Sequence, residues 1–145
     1  MHPFPHRYPV SAAATSESHV RLTAPGVDRP IESAGPVEFG GPGDRWSPEH
    51  LLTAAVADCF ILSFRAVARA ARFEWRGLEC HVDGTLDRVA GQTRFTGFAV
   101  AARLSVAPGS DVAKAEKLLQ KADRHCLVTN SLRAGNHLET EIVFE

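Results

Sequence analysis

Residues Ser47 to Arg72 read SPEHLLTAAVADCFILSFRAVARAAR, the longest apolar run in the chain, with Cys59 near its middle. Ser47 suits a helix N-cap and Pro48 the first helical position, and Glu49 puts a negative charge at the positive end of the helix dipole. Between Leu51 and Ala68 the residues are almost all apolar, and the arginines Arg65, Arg69 and Arg72 come late. A helix apolar most of the way round is a buried helix. The stretch therefore predicts one central helix, with a thiol held in it, that the other elements wrap.

A chain of 145 residues suits a single domain, 1–145, with residues 1–18 partly loose. The formal net charge is −1 and the charges are interspersed, which argues against nucleic acid or an anionic membrane surface as partner. The opening MHPFPHRYPV lacks the apolar core of a signal peptide. Asp58 and Arg65 interrupt the central run, which argues against a membrane span. The expected location is the cytoplasm. Three cysteines, Cys59, Cys80 and Cys126, fit no secreted disulfide framework and are there core fillers, metal ligands or redox thiols.

On either side of the helix the chain reads as strands. Arg7–Val10 opens a first one. Ser18–Thr23 alternates, with Val20 and Leu22 on one face, and Ile31–Phe39 is a weaker strand. Gly40 to Trp46 is a loop. After the helix, Leu78, Cys80 and Val82 share a face. Asp83-Gly84 is a turn or a bulge, Gly91-Gln92 a turn, and Phe95–Val106 a strand with Phe98, Val100, Ala102 and Leu104 on one side. Ser110 caps a second helix whose core stripe is Val112, Ala115, Leu119 and Ala122, with Glu116 outside; four residues on, the stripe meets Cys126. His137–Glu145 closes as a strand. Short turns between strands favour antiparallel hairpins and an α+β class.

Cys59 admits two readings, a small core hydrophobe or a reactive thiol. Asp58 beside it, and Cys126 on a core-facing stripe with Arg124 and His125 adjacent, favour the second, since a nearby cation favours the thiolate. Cys80 reads as core. No metal or cofactor is expected, because the seven histidines fall in no ligand spacing and no phosphate-cradling glycine motif occurs. Glu49 is either a first-turn acid stabilised by the helix dipole or a site carboxylate. Ten helical residues, roughly 15 Å of rise, keep it from Cys59 within one chain. The two meet only if two copies pair.

Phe39-Gly40-Gly41, Ser47-Pro48-Glu49-His50-Leu51-Leu52, Ala54-Ala55 and Cys59-Phe60, then Cys126 with Asn130-Ser131 and Ala134-Gly135-Asn136, resemble the OsmC/Ohr family of osmotically induced and organic-hydroperoxide-resistance proteins. The spacing of 67 positions between the two cysteines also matches. The resemblance implies antiparallel sheets around a long central helix in an intertwined homodimer. It implies a peroxidase in which Cys59 attacks an organic hydroperoxide, Cys126 resolves the oxidised thiol, Glu49 holds an activating arginine, and a dithiol reductant restores both thiols. That arginine is absent from the family's usual places, which read Thr15–Ser18 and Val37–Phe39 here; Arg7, Arg21 and Arg45 are the candidates. The missing arginine motivates the alternative of a binding protein for a small apolar or lipid ligand without turnover. A blander third reading is a structural dimer with inert thiols.

Overall fold

The computed structural model describes residues 2–145, and the chain divides into two compact units that meet at Leu51 and Leu52. The first unit is built on short strands β1 (Ser11–Ala13), β2 (Val20–Thr23) and β3 (Ile31–Ser33), antiparallel in that order. The first strand thus begins after Val10, not at Arg7. Strand β3 stops at Ser33 because Gly35-Pro36 follows, and Val37–Phe39 forms a 3-10 turn instead of continuing the sheet. Gly41 makes that turn possible: its amide donates to the Pro36 carbonyl at 2.9 Å, and a Cβ on Gly41 would lie 1.6 Å from the Gly35 carbonyl oxygen. Much of the unit's apolar surface is open, with Phe39 63% and Trp46 55% exposed.

Helix α1 (Pro48–Ala70) starts where the capping residues place it. Ser47, fully buried, accepts the His50 amide on its Oγ at 3.2 Å, and that Oγ also meets His50 Nδ1 at 2.8 Å. The helix ends two residues early, at Ala70. Arg72 turns left-handed (φ 50°), the Phe73 amide reaches back to the Ala68 carbonyl and the Arg72 amide to that of Arg69, a Schellman closure.

The second unit has strands β4 (Gly77–Val89), β5 (Gln92–Val106) and β6 (Gly135–Phe144) in one sheet. Strands β4 and β5 form the expected antiparallel hairpin, closed by Ala90 and Gly91, both left-handed at φ 51° and 78°. Asp83-Gly84 is neither turn nor bulge; the strand runs through it and its register shifts at Thr85/Leu86. Strand β6 pairs parallel with β5, a departure from an all-antiparallel sheet. The connection from Ala107 to Ala134 carries α2 (Val112–Arg124) and α3 (Leu127–Asn130), which is long enough for the crossover that parallel pairing needs.

Asp111, not Ser110, caps α2: its carboxylate accepts the Lys114 amide at 2.9 Å, while the Ser110 hydroxyl donates to the Ala107 carbonyl. Ala115, Leu118, Leu119 and Ala122 are the buried stripe of α2, and Val112 faces out. Glu116 is half-buried rather than outside, because its carboxylate accepts the Thr140 hydroxyl from β6. Together with Val56, Phe60, Phe64, Val67 and Ala68 of α1 and the alternate residues Phe98 to Val106 of β5, this stripe makes one core on one face of the sheet. The other face, with Glu79, His81, Arg103, Glu139 and Glu141, is open to water.

Helix α1 is less buried than its composition predicts. Only one stripe is covered, and Leu62 is 50% exposed, because the single sheet of this unit can cover one side of a helix. By length and composition α1 could also cross a membrane, Asp58 and Arg65 notwithstanding; the core helices of soluble proteins pass the same test.

Candidate functional site

Cys59 sits half-buried in the middle of α1, at the edge of the stripe that meets the sheet. One turn on, Ser63 Oγ lies 3.9 Å from its Sγ. Cys126 reaches the same place from the other end of the sequence. Helix α2 stops at Arg124, His125 caps it, and the chain turns at Cys126, which opens α3. The side chain is 1% exposed, as the extended stripe of α2 predicts. All three cysteines are free thiols.

Cys59 acts on the Cys126 thiol. Burial pushes the Cys126 pKa above its ordinary value, and Cys59, as hydrogen-bond partner and as charge, pushes it in the same direction. Thr129 opposes the shift, favouring the thiolate; its hydroxyl also donates to the Cys126 carbonyl at 3.2 Å. Cys80, on the core face of β4, is pushed up to about 11, first by burial and then by the charge of Cys126. A thiol read as simple core filler therefore feels Cys126 electrostatically.

Glu49 lies elsewhere, in the first turn of α1. The helix is continuous from Pro48 to Ala70, so about 15 Å of rise separates Glu49 from Cys59 in one chain. Among the described residues no arginine hydrogen-bonds Cys59. Arg21 pairs with Glu32 at 3.9 Å and Arg45 with Asp44 at 3.4 Å, all in the first unit, and Arg7 is exposed. No three His, Cys, Asp or Glu side chains among the described residues gather as a metal site.

Two residues near the thiols carry a helical-spacing signal: Ser63 is four after Cys59 and Thr129 three after Cys126. A recess of about 170 Å³ carries none, being assembled from segments far apart in sequence. Leu52, Phe95, Phe98, Leu132 and Ala134 form its apolar wall, and the Phe95 and Phe98 rings stack 5.1 Å apart.

Residues 41–141 match the family described as OsmC-like protein. The chain belongs to that family. It is 32% identical to an organic hydroperoxide resistance protein of Xanthomonas axonopodis pv. citri, over 89% of each chain. It is 29% identical to the peroxiredoxin OsmC of Escherichia coli over 66% of each. The fold is that of solved OsmC-like structures. A Vibrio cholerae OsmC-like protein of unknown function superposes with a TM-score of 0.82 at 18% identity, covering 96% of this chain and 100% of that one. An organic hydroperoxide resistance protein of Legionella pneumophila gives 0.76 at 22%, covering 97% and 98%.

Proposed function

We propose that this OsmC-like protein is a thiol peroxidase that reduces organic, lipid-like hydroperoxides, working in the cytoplasm, where thiols stay reduced. The observation that carries the reading is the interacting pair of free thiols, Cys59 on α1 and Cys126 at the start of α3. The names of its Xanthomonas and Escherichia coli relatives point the same way. In the proposed cycle the Cys59 thiolate attacks one peroxide oxygen. The O–O bond breaks, the sulfur is oxidised to sulfenic acid, and the other oxygen leaves as alkoxide and takes a proton to become an alcohol. The Cys126 sulfur then displaces hydroxide from the sulfenic sulfur, releasing water and forming a Cys59–Cys126 disulfide. A dithiol reductant takes up the oxidation and returns both thiols.

Glu49 enters this reading only through a homodimer, in which it would hold an arginine at the partner's thiol. Exposed apolar residues on α1 and in the first unit, among them Leu62, Phe39 and Trp46, support a partner surface. Arg7, Arg21 and Arg45 remain the candidates for that arginine. A second reading, binding of an apolar ligand without turnover, is favoured by the apolar recess and by the lack, among the described residues, of an arginine bonded to Cys59. Stopped-flow consumption of cumene hydroperoxide with dithiothreitol separates the two. Turnover that Cys59→Ser abolishes supports the peroxidase, and equal consumption by the variant and the unaltered chain refutes it.

A further inference from the structure

The recess beside Leu52 and the two phenylalanines has a charged rim. Arg94, half-buried on β5, and Arg133, exposed after α3, complete its wall. Neither guanidinium takes part in an ion pair among the described residues; even Asp87, which faces Arg94 across the β4–β5 ladder, makes none with it. Two unpaired cations over an apolar slot are an arrangement that one kind of molecule satisfies on both counts, an amphiphile with an anionic head. Arginine is the side chain best shaped to bind a carboxylate with paired hydrogen bonds.

The recess also lies in line with the thiols. Leu52 is seven residues before Cys59 on the continuous helix α1. Seven residues are two turns, so Leu52 and Cys59 share a face with about 10 Å of rise between them. Leu132 and Ala134 follow directly on α3, which Cys126 opens. The recess and Cys59 therefore lie on the same side of α1, about 10 Å apart along its axis.

We infer that Arg94 and Arg133 are specificity-determining residues. They select hydroperoxides that carry a carboxylate remote from the O–O bond, by holding that carboxylate at the recess while the peroxide reaches Cys59. The inference rests on the peroxidase reading for its catalytic consequence and on the recess alone for its binding consequence.

The test compares linoleic acid hydroperoxide with its methyl ester, which keeps the chain and removes the charge, using the full-length protein and dithiothreitol. The unaltered protein is expected to prefer the acid in kcat/KM by about tenfold, the order of one charge-assisted hydrogen bond. Arg94→Gln with Arg133→Gln should bring the two substrates to parity by slowing the acid far more than the ester, and Arg94→Lys with Arg133→Lys should keep part of the preference. Equal rates for acid and ester, or a preference untouched by the glutamine variant, overturn the inference. If neither peroxide is turned over, the peroxidase reading has failed and binding decides the rest. Calorimetry with dodecanoate and dodecanol should then show the acid bound more tightly, with the difference lost in the glutamine variant. Equal binding of the two, or none of either, overturns the inference there too.

Discussion

Cys59 and Cys126, 67 residues apart in sequence, are electrostatic neighbours within one chain, Cys59 helping to hold the Cys126 pKa up. Cys126 is sealed from solvent and Cys59 is only half-buried. That asymmetry matches a division of labour in which the more accessible thiol meets the oxidant and the sealed one meets only its neighbour. Under the peroxidase reading, one equivalent of organic hydroperoxide should consume two of the three thiols. Titration of the unfolded protein would then count three thiols before treatment and one after. Cys126→Ser should halt at the Cys59 sulfenic acid, which dimedone captures as an adduct visible by mass spectrometry. An oxidised protein that retains all three thiols excludes the disulfide.

Cys80 should make the protein sensitive to alkaline pH. Its pKa is raised from 9.0 to about 11, so the folded chain keeps a proton that the unfolded chain releases above 9.0. The stabilisation is complete below that value and is lost as pH rises through about 11. The raised Cys126 acts in the same direction. Urea unfolding at about pH 8 and about pH 10.5 should show the loss, and Cys80→Ala should shrink it by on the order of 1–2 kcal/mol, allowing for the residue's partial exposure. An identical pH dependence in the variant would show that Cys80 titrates alike in both states.

The parts of this molecule that were legible in sequence are those set by local periodicity. The Ser47 cap, the alternation of Phe98 to Leu104 and the arrival of the α2 stripe at Cys126 each follow from spacing along one element. What escaped is set by contacts between distant segments. Both Ser110 and Asp111 can cap a helix, and only the backbone path decides that Asp111 does. Leu138 and Ile142 would alternate identically in a parallel or an antiparallel β6, so the pattern carries no direction. The Arg94 and Arg133 rim joins β5 to the segment after α3, and no feature near either arginine announces the other. The charge of Cys126 on Cys80 is hidden for the same reason, since a strand position reports its face and not its neighbour across the core.

Gly84 illustrates a glycine required by close approach rather than by backbone conformation. A Cβ there would lie 2.7 Å from Thr53 Oγ1, 2.9 Å from the Phe95 ring and 3.0 Å from the Phe98 ring. The helix α1 and the stacked phenylalanines press onto β4 where no side chain stands. Gly84→Ala must push the rings or the helix aside, at about 1–3 kcal/mol for overpacking a filled core. The expected fall in melting temperature is about 2–4 °C for each kcal/mol. The same substitution distorts the recess that Phe95 and Phe98 wall, so dodecanoate binding should weaken with it. A melting temperature unchanged by Gly84→Ala would mean that the helix does not press so closely on the strand.

The β4–β5 turn offers the opposite outcome, a gain in stability. Val89 pairs with Gln92, leaving Ala90 and Gly91 as the two turn residues, both at positive φ. That is the turn whose twist matches the flanking strands, and it prefers Asn-Gly. Alanine at φ 51° bears the steric cost of a left-handed L residue, about 1–2 kcal/mol, which asparagine largely avoids. Ala90 is exposed, so a substitution there acts through the backbone and not through lost packing. Ala90→Asn should stabilise by about 0.5–1 kcal/mol, and Ala90→Val, whose branched side chain tolerates this conformation worst, should destabilise by a similar amount or more. Thermal unfolding of the two variants should therefore move in opposite directions from the unaltered protein. Since the turn lies outside the thiol pair, peroxide turnover at moderate temperature should be the same in all three. If valine and asparagine leave the melting temperature alike, the hairpin closes through a turn that does not hold Ala90 left-handed.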